Sequence, residues 1–530
     1  MQQKRAWWYN YRARKREPRT KMSIEIIART AFGTTLKEYA DNCSVAGVRQ
    51  MCDATITHKQ RAIYIIMFCV MCATVFYFLR HIWCNSLIKP LVVTMESVTY
   101  PISKIDFPAI ALCNINRISK KALTAAVKRS SLYLSLKNES RLKEVEWFYL
   151  QAGRLLDFTY NPMLRNHPFL YVVPTHVHDT LKLIDLMKNV APKCEDMLLR
   201  CTWAGEEVDC NTLFSVRRTV HGHCCAFNYV LGYDSAGTPN ETIATIKRQT
   251  EPGQHNGLNV ILDPMMDDYA YPMYNIEGIE VLIFDPTHFA DPSGGRVIQR
   301  NVQPGQAVYF ELQSIKQVAT REVRKYPYST RKCLFHDESK KKFSWMYSYS
   351  ACIVNCRIRT VQSLCKCTPY FLPTERKGSI CTLNDLRCLN KHKEKLFYIY
   401  PLGAENTDGL ETEIQDSLYC PDCLPDCELT QHYTKYSKIP LASDAWEHKL
   451  FKSFFLKNLN MTKKCVLSIY QSATDGVLNR LDVVSYWFEI LSNVGGLCGV
   501  LLGISIITLF EIIYFFSIRF PAKAFQYVNE

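Results

Sequence analysis

Two long apolar runs, one near each end of the chain, dominate its pattern of hydrophobic and polar residues. The first covers residues 62–79 and contains no charged side chain. The second lies within residues 484–516 and has no charge between Glu489 and Glu511. A membrane-spanning helix needs about 20 mostly apolar residues, so each run is long enough to cross a bilayer. Because the first run is apolar on every face, a buried core helix is the weaker interpretation of it.

The second run contains three glycines that are spaced four residues apart. Gly495, Gly499 and Gly503 therefore lie on nearly one face of a helix. One interpretation is a strip of small residues where two membrane helices pack closely. The other is that the helix breaks at residues 503–505 and turns its carbonyl groups toward a cation, because irregular backbone at membrane depth occurs only inside protein or beside water. The glycine pattern by itself leaves both interpretations open.

The distribution of charge favours a membrane protein. The chain has 48% hydrophobic and 22% charged residues, as folded proteins do, and a net charge of +14. A nucleic-acid partner could explain that charge, but the basic residues concentrate before residue 62, directly ahead of the first apolar run. The positive-inside rule explains this position and puts both termini in the cytoplasm. We therefore expect membrane lipid as a partner and no nucleic acid.

The segment between the two apolar runs is long enough to be a domain. It contains roughly 400 residues, far more than an ordinary connection between helices. Helical patterns at residues 117–128 and 141–158 precede strand-like runs at residues 258–262, 279–284 and 307–312. Proline and glycine turns separate the three strand-like runs. We therefore predict a mixed α+β domain.

Cysteines indicate the compartment of this domain. Sixteen of the 23 cysteines lie between residues 113 and 427, and such an even, closely spaced set is typical of disulfides in an oxidising compartment. Zinc binding is the competing interpretation, because some of the cysteines have short spacings similar to those of zinc sites. Three glycosylation sequons, at Asn138, Asn240 and Asn460, lie between the same two apolar runs. They favour disulfides over zinc.

Four blocks of sequence, spread in order along the chain, resemble a known family. Residues 107–114, FPAIALCN, are similar to its FPAVTxCN signature, and residues 222–228, GHCCAFN, are similar to GxCxxFN with a doubled cysteine. Residues 347–427 contain SYSACIVNC, CKC and CPDCLPDC, and residues 495–511 contain GGxxGxxxGxS followed by a glutamate. Together these blocks resemble the degenerin/epithelial sodium channel family, and within it the pickpocket branch.

The resemblance implies an α+β membrane protein that assembles as a trimeric channel. Two transmembrane helices flank a large disulfide-rich extracellular domain with finger, thumb, palm, knuckle and β-ball parts. The implied divisions are a cytoplasmic N-terminus at 1–61, a first transmembrane helix at 62–84, an extracellular domain at 85–483 with a thumb-like cysteine-rich part at about 325–430, a second transmembrane helix at 484–516 with the selectivity filter, and a cytoplasmic C-terminus at 517–530.

The function implied by the resemblance is that of a channel subunit in the plasma membrane. The channel is expected to be amiloride-sensitive and selective for sodium, or non-selective among monovalent cations. It is expected to be constitutively active or gated by an extracellular ligand, protons or mechanical force, and to form homo- or hetero-trimers with related subunits. No enzymatic activity, metal site or cofactor is expected, with Na⁺ as the permeant ion. An ATP-gated two-span trimeric receptor, a membrane-anchored ectoenzyme and a non-conducting adhesion or receptor protein are the alternatives.

The resemblance also assigns roles within the second apolar run. Gly503, Ile504 and Ser505 match the selectivity filter of the family. Gly499 matches the position where amiloride binds in relatives. Ser492 matches the degenerin gating position, where a small side chain permits closure and a bulky one holds the pore open.

Two further assignments leave alternatives open. Glu511 is an ionisable residue within a span, so it is expected either to attract cations near the inner mouth or to be the buried partner of a basic residue. Ala46 and Gly47 stand where the family has His-Gly in its N-terminal gating motif. The glycine still permits a tight turn, but the imidazole hydrogen bonds are lost. An altered open probability, or a subunit that works only in mixed trimers, is therefore expected.

A pairing of the cysteines follows from the same resemblance. The implied bridges are Cys113–Cys224, Cys201–Cys210, Cys333–Cys427, Cys352–Cys423, Cys356–Cys420, Cys365–Cys388 and Cys367–Cys381. Cys194 and Cys225 then remain and are expected to pair, whereas Cys465 has no expected partner. The bridges are expected to stabilise a loop-rich region and to stiffen it, so that a signal received at the periphery moves the pore.

Overall fold

The computed structural model describes residues 24–53, 55–84, 88, 90–129, 142–166, 180–231, 244–338, 346–373, 379–400, 408–441 and 459–529. Its α-helices are α1 (Ile24–Asn42), α2 (Val48–Cys52), α3 (His58–Trp83), α4 (Lys120–Arg129), α5 (Leu142–Leu150), α6 (Arg154–Asp157), α7 (Thr180–Val190), α8 (Cys194–Met197), α9 (Cys210–Leu213), α10 (Arg321–Arg324), α11 (Tyr328–Arg331), α12 (Tyr349–Cys365), α13 (Leu386–Lys391), α14 (Lys393–Phe397), α15 (Glu411–Gln415), α16 (Trp487–Leu502), α17 (Ile506–Ile513) and α18 (Phe520–Asn529). A π-helix, Tyr514–Arg519, joins the last two.

The strands are β1 (Leu91–Pro101), β2 (Ala109–Asn114), β3 (Leu198–Trp203), β4 (Glu206–Val208), β5 (Phe214–Thr219), β6 (Gly222–Phe227), β7 (Leu258–Leu262), β8 (Ile279–Phe284), β9 (Ile298–Val302), β10 (Gln306–Ala319), β11 (Leu429–Pro440), β12 (Cys465–Gln471) and β13 (Asp475–Val483). The chain divides into two compact units. The terminal unit comprises Met1–Val92 and Val483–Glu530, and the central unit comprises Val93–Asp482.

The terminal unit contains the two apolar runs. Helix α3 is long and apolar enough to cross a membrane, and it extends the predicted first span by several residues toward its N-terminus. Helices α16 and α17, with the segment that continues to Val528, pass the same test of length and composition only as a pair, because they are bent by 75° at a break. Large apolar side chains such as Ile66 and Phe76 on α3 are exposed in the single chain. A surface of this kind needs lipid or protein to cover it.

Two sheets form the framework of the central unit. Eight strands make one sheet in the order β1-β13-β10-β12-β7-β3-β4, with β11 paired to β10, and five make the other in the order β5-β6-β2-β8-β9. Strand β10 lies parallel to β12 and β13 and antiparallel to β11. The predicted strands at 258–262 and 279–284 have these bounds in the structure. The predicted strand at 307–312 lies within the longer β10 and contains most of its buried residues.

Aromatic residues from the family-like blocks fill the core between the sheets. Phe107 contacts the edges of the Trp203 and Phe227 rings, with centroids 4.9 and 6.1 Å away. A second cluster, around Phe158 and Tyr370, packs helices against the other face of the five-stranded sheet. The FPAIALCN and GHCCAFN blocks are therefore core positions as well as family markers.

One predicted helix is divided in the structure. The pattern at residues 141–158 corresponds to α5, a 3₁₀ turn at Gln151–Gly153 and α6. The division occurs where Gly153 lies against the Tyr271 ring, because a Cβ atom at this glycine would be only 2.7 Å from the ring. The pattern at residues 117–128 corresponds to α4, which begins later, at Lys120.

Eight disulfides occupy the central unit. They join Cys113–Cys224, Cys194–Cys225, Cys201–Cys210, Cys333–Cys427, Cys352–Cys423, Cys356–Cys420, Cys365–Cys388 and Cys367–Cys381. These are the seven pairs that the resemblance implied and the pair expected between the two remaining cysteines, Cys194 and Cys225. None of these sixteen cysteines is then free to be a thiolate ligand of zinc. Cys465 is buried without a disulfide, and burial raises its pKa to about 12, so it stays protonated and unreactive.

Candidate functional site

The break in the last membrane-length segment begins at a glycine. Helix α16 ends at Leu502, and Gly503 follows with φ of 67°, in the left-handed region that favours glycine. The Gly503 amide donates to the Gly499 carbonyl at 3.1 Å, and the Ile504 amide donates to the Cys498 carbonyl at 3.2 Å. These bonds close the last turn of α16, as glycine does at many helix ends.

A serine starts the next helix. Ser505 is the N-cap of α17, and its side chain accepts a hydrogen bond from the Thr508 amide at 3.4 Å. In return, the Thr508 hydroxyl accepts from the Ser505 amide at 3.2 Å. This reciprocal cap satisfies two amides that the helix itself leaves unpaired. A glycine stop and a serine start, two residues apart, therefore explain why the segment bends here.

The residues between the two helices expose main-chain oxygen. Within the described residues, the carbonyls of Gly503 and Ile504 accept no hydrogen bond. Their neighbours differ, because the Leu502 carbonyl accepts from the Ala46 amide at 3.0 Å and the Ser505 carbonyl accepts from the Leu509 amide at 3.4 Å. Two unpaired carbonyls beside a serine hydroxyl are ligands of the kind that replace the hydration shell of a permeating cation.

Most of the glycine strip faces open space in the single chain. A Cβ atom added at Gly495 or Gly496 meets no atom within 4 Å, and one at Gly499 meets only the Ile504 carbonyl oxygen at 3.8 Å. A Cβ atom at Gly503, in contrast, would lie 3.3 Å from the Ala46 amide nitrogen. Close packing between two helices of this chain therefore does not explain the first glycines of the strip.

A short N-terminal loop supports the break. The Ser44 hydroxyl lies 2.7 Å from the Thr508 hydroxyl and donates to the Glu511 carboxylate at 2.9 Å. The Ser44 amide donates to the same carboxylate oxygen at 3.3 Å. Next in the chain, Ala46 is tied to Leu502, and Gly47 makes a turn with φ of 85° into α2. The pair Ala46–Gly47 therefore contacts the break through the main chain, without an imidazole.

The surroundings of Glu511 bear on the two sequence-based alternatives for this residue. Its partner is Ser44, and the described part of the chain places no basic side chain within ion-pair distance of its carboxylate. The nearest basic residue toward the C-terminus, Arg519, is paired with Glu38 instead. Ser44 is therefore the described partner of Glu511, and the two sequence-based roles of this carboxylate stay predictions.

The remaining expected site residues lie at some distance from the break. Ser492 is exposed on α16, about three helical turns before Gly503. Asn460 is exposed, and its side-chain oxygen accepts from the Thr462 amide at 3.0 Å. Asn138 and Asn240 lie outside the described residues.

The sequence-based expectations did not include Ser44. It is one of several hydroxyl residues near the N-terminus, and no local pattern distinguishes it from them. Only the approach of the N-terminal loop to α17 brings it to Glu511, which is 467 positions away in the sequence.

Comparison with known proteins agrees with the motifs. A family model described as amiloride-sensitive sodium channel matches residues 39–515. Pickpocket protein 28 of Drosophila melanogaster is 23% identical over 93% of this chain and 80% of its own length. Sodium channel protein Nach of Drosophila ananassae is 22% identical over 93% and 89%, and the bile acid-sensitive ion channel of Mus musculus is 24% identical over 79% and 75%. A solved proton-activated chloride channel has a TM-score of 0.26 and 7% identity over 86% of this chain and 96% of its own, too low a similarity to carry an argument.

Proposed function

The chain belongs to the amiloride-sensitive sodium channel family, and from this membership and the break in its last apolar segment we propose that it is a pore-forming subunit of a monovalent cation channel. Members of the family are oligomeric ion channels of the plasma membrane and not enzymes. Its relatives are degenerin-type cation channels. The observation that carries the proposal is the pair of unpaired carbonyls at residues 503 and 504.

The filter is proposed to form where three copies of residues 503–505 meet. Three copies give rings of carbonyl groups and one ring of Ser505 hydroxyls, and oxygen ligands of this kind suit a hard monovalent cation. The open glycine strip supports this arrangement, because the face that carries Gly495 and Gly499 contacts nothing in the single chain and is left for a neighbouring copy or for the pore. We expect selectivity for sodium, and block by amiloride at Gly499.

Glu511 is proposed to attract cations just inside the filter. Its charge is held in place by two hydrogen bonds from Ser44 and is not cancelled by a basic partner within the described residues. Three such carboxylates around a narrow path concentrate cations near it. This role is the first of the two that the sequence left open.

The proposed topology has two spans. Helix α3 forms the first, and the bent pair of α16 and α17 forms the second. Both termini then lie in the cytoplasm, and the disulfide-rich central unit lies outside, where Asn460 is exposed for glycosylation. The proposal includes trimers with copies of this chain or with related subunits, and an extracellular ligand of unknown identity; membership of a family of oligomeric channels supports the trimers.

A gating substitution removes the need to know the stimulus. We express the full chain, alone and with a related subunit, in an electrically silent cell, with and without Ser492→Val. The larger side chain is expected to oppose closure and to give a constitutive, sodium-selective, amiloride-blocked current. Absence of any current from protein that reaches the cell surface, with and without acid, stretch or ligand, would favour a non-conducting receptor. Current evoked by ATP would favour an ATP-gated receptor.

The filter assignment is tested in the same constitutive background. Ser505→Trp is expected to abolish the current or its preference for sodium, because the bulky ring replaces a hydroxyl at the narrowest point. Ser517→Trp is the matched control, since Ser517 is an exposed serine in the π-helix beyond the filter. Unchanged sodium selectivity in Ser505→Trp would contradict the assignment.

A further inference from the structure

Helix α1 is held against the segment that follows α17 by a shared ion pair. The Glu38 carboxylate accepts a hydrogen bond from Arg519 at 2.9 Å and forms an ion pair with Lys523. These two basic residues are four positions apart, so they lie on one face of the helix and a single carboxylate reaches both. No other acidic side chain of the described chain pairs with either base.

Aromatic rings reinforce the same contact on both sides of Glu38. The Phe32 ring lies 6.0 Å from the Phe516 ring and 6.1 Å from the Phe520 ring. The Tyr39 ring lies 5.6 Å from the Phe515 ring and 5.8 Å from the Phe516 ring. Aromatic pairs at these distances contribute about 0.5–1.5 kcal/mol each beyond the area they bury.

Small residues allow α1 to approach closely. Ala31 and Thr35 are 0% exposed, and they lie one turn apart on the same face of α1. The helix is therefore docked along a defined face, through a small-residue centre, four ring contacts and one shared ion pair. An exposed tail would not bury these positions.

The docked helix leads directly into the loop that supports the break. Helix α1 ends at Asn42, and Ser44, with its bonds to Thr508 and Glu511, comes two residues later. Ala46, which donates to the Leu502 carbonyl, follows at once. A link this short cannot absorb a movement of α1. Such a movement must therefore change the hydrogen bonds by which Ser44 and Ala46 support the break.

We propose that α1 is a brace that positions the inner half of the pore, and that Glu38 is the positioning residue that fixes the brace to Arg519 and Lys523. This inference rests on the proposed channel function, because the pore is what the brace positions. It assigns to the N-terminal helix a role at the inner end of the chain's last helices, in addition to the loop contacts already described.

The brace does not act as a proton switch. Hydrogen bonds from Arg519 and Lys523 lower the pKa of Glu38 to about 2, so the carboxylate keeps its charge at every physiological pH. Substitution, and not acid, is therefore the way to release it.

Cysteine cross-linking tests the contact without any need for current. In full-length protein in cell membranes, with Cys43→Ser to remove a nearby free thiol, Tyr39→Cys and Phe515→Cys are expected to form a disulfide on oxidation. Adding Glu38→Lys should lower the cross-linked fraction at least about fivefold, because two attractions become repulsions. Reversing the charges of both partners in the same Glu38→Lys protein, with Arg519→Glu and Lys523→Glu, should restore the cross-linked fraction.

The result that overturns the brace is equally direct. A cross-link that never forms in the double-cysteine protein, or one that Glu38→Lys leaves unchanged, contradicts docking through Glu38. Single-cysteine variants show whether the signal needs both positions. This readout decides the brace even if no current is found, an outcome that would contradict only the proposed channel function.

A functional comparison uses a matched acidic residue on the same helix. In the constitutive background, Glu38→Gln is expected to change the sodium-to-potassium permeability ratio about threefold to fivefold, from the loss of two exposed ion pairs. Asp41→Asn removes the same charge from an exposed position that has no basic partner among the described residues, and it should leave the ratio unchanged. Equal effects of the two substitutions would contradict a positioning role for Glu38.

Discussion

Each of the two units of this chain is stabilised internally by a different kind of interaction. The central unit contains all eight disulfides, whereas the cysteines of the terminal unit that the structure describes are free. A disulfide typically stabilises a fold by about 2–4 kcal/mol, and an exposed ion pair by at most about 1 kcal/mol. The terminal unit depends on hydrogen bonds, ring contacts and one shared ion pair. It is therefore the unit whose internal contacts can exchange at low cost.

This difference suits a gated channel. Elements that move during gating are drawn from the less stable parts of a protein, and a covalently braced domain transmits a signal with little internal deformation. In the central unit, two disulfides tie helix α12 to the segment before β11, Cys352–Cys423 and Cys356–Cys420. The buried ion pair between Arg357 and Asp291, at 2.7 Å, links the same helix to the segment after β8. In the terminal unit, Ser44 and Ala46 support the break by a few bonds.

The largest effect is expected from the disulfides. Cys352–Cys423 encloses Cys356–Cys420, so replacing Cys352 and Cys423 with alanine releases only a short additional loop and is expected to cost about 2–3 kcal/mol of unfolding free energy. The variant should lose most of its surface delivery and unfold at a lower temperature in detergent. Cys52→Ala, which removes an exposed free thiol of the terminal unit, is the control and should change neither quantity. Normal surface delivery of the disulfide variant would show that this disulfide is not what makes the central unit stable.

The next effect is on acid stability, through a buried histidine of the central unit. His432 bonds through Nδ1 to the Ser314 hydroxyl at 2.8 Å, and burial lowers its pKa to about 4. Between pH 6.5 and 4 the unfolded chain binds a proton that the folded chain does not, so stability falls as pH falls through this window. At pH 5 the expected loss is about 2 kcal/mol.

Thermal unfolding of the full chain in detergent between pH 7.5 and 4.5 measures this loss. His432→Gln should be less stable at neutral pH but should lose less stability on acidification than the native chain. His255→Gln, at an exposed position, should follow the native curve. If the slopes of the native chain and His432→Gln agree, the acid sensitivity lies elsewhere.

A smaller but more local effect is expected at the break. Gly503→Ala places a Cβ atom on a residue with φ of 67°, 3.3 Å from the Ala46 amide nitrogen, at a cost of about 1–2 kcal/mol. We expect a weaker preference for sodium with normal surface delivery. Gly496→Ala is the control, because nothing lies within 4 Å of the added atom in the single chain and alanine favours the helix. The same loss of selectivity in both variants would show that the break has no special role.

The sequence predicted the parts of this structure that are determined by residues close together in the chain. Strands β7 and β8 are buried on both faces and are apolar except at Asn259 and Glu280, so their bounds follow largely from hydrophobicity. The break at residues 503–505 was one of two interpretations of the glycine pattern, and a glycine that stops one helix and a serine that starts the next account for it. The second half of β10 was not predicted, because its residues from Gln313 to Ala319 are mostly half-exposed and polar. Glu38 was not predicted either, because its partners are 481 or more positions away and only the docking of α1 brings them together.

The smallest expected effect tests whether the weak contacts of the terminal unit matter at all. Ser44→Ala removes the hydroxyl bonds to Thr508 and Glu511 and leaves the main-chain bond of Ala46 to Leu502 in place. A hydrogen bond to a charged group contributes about 1.5–3 kcal/mol at most, and less at an accessible site, so a shift of about fivefold in open probability is expected. Single-channel recording in the constitutive background measures this shift in open probability.

Ser44→Thr should preserve the native value, because its hydroxyl can reach the same partners. Thr34→Ala is the control, since the Thr34 hydroxyl bonds only to carbonyls of its own helix. If Ser44→Ala behaves as the control does, the loop supports the break through its main chain alone, and the low cost of exchanging these contacts is not what sets the gate.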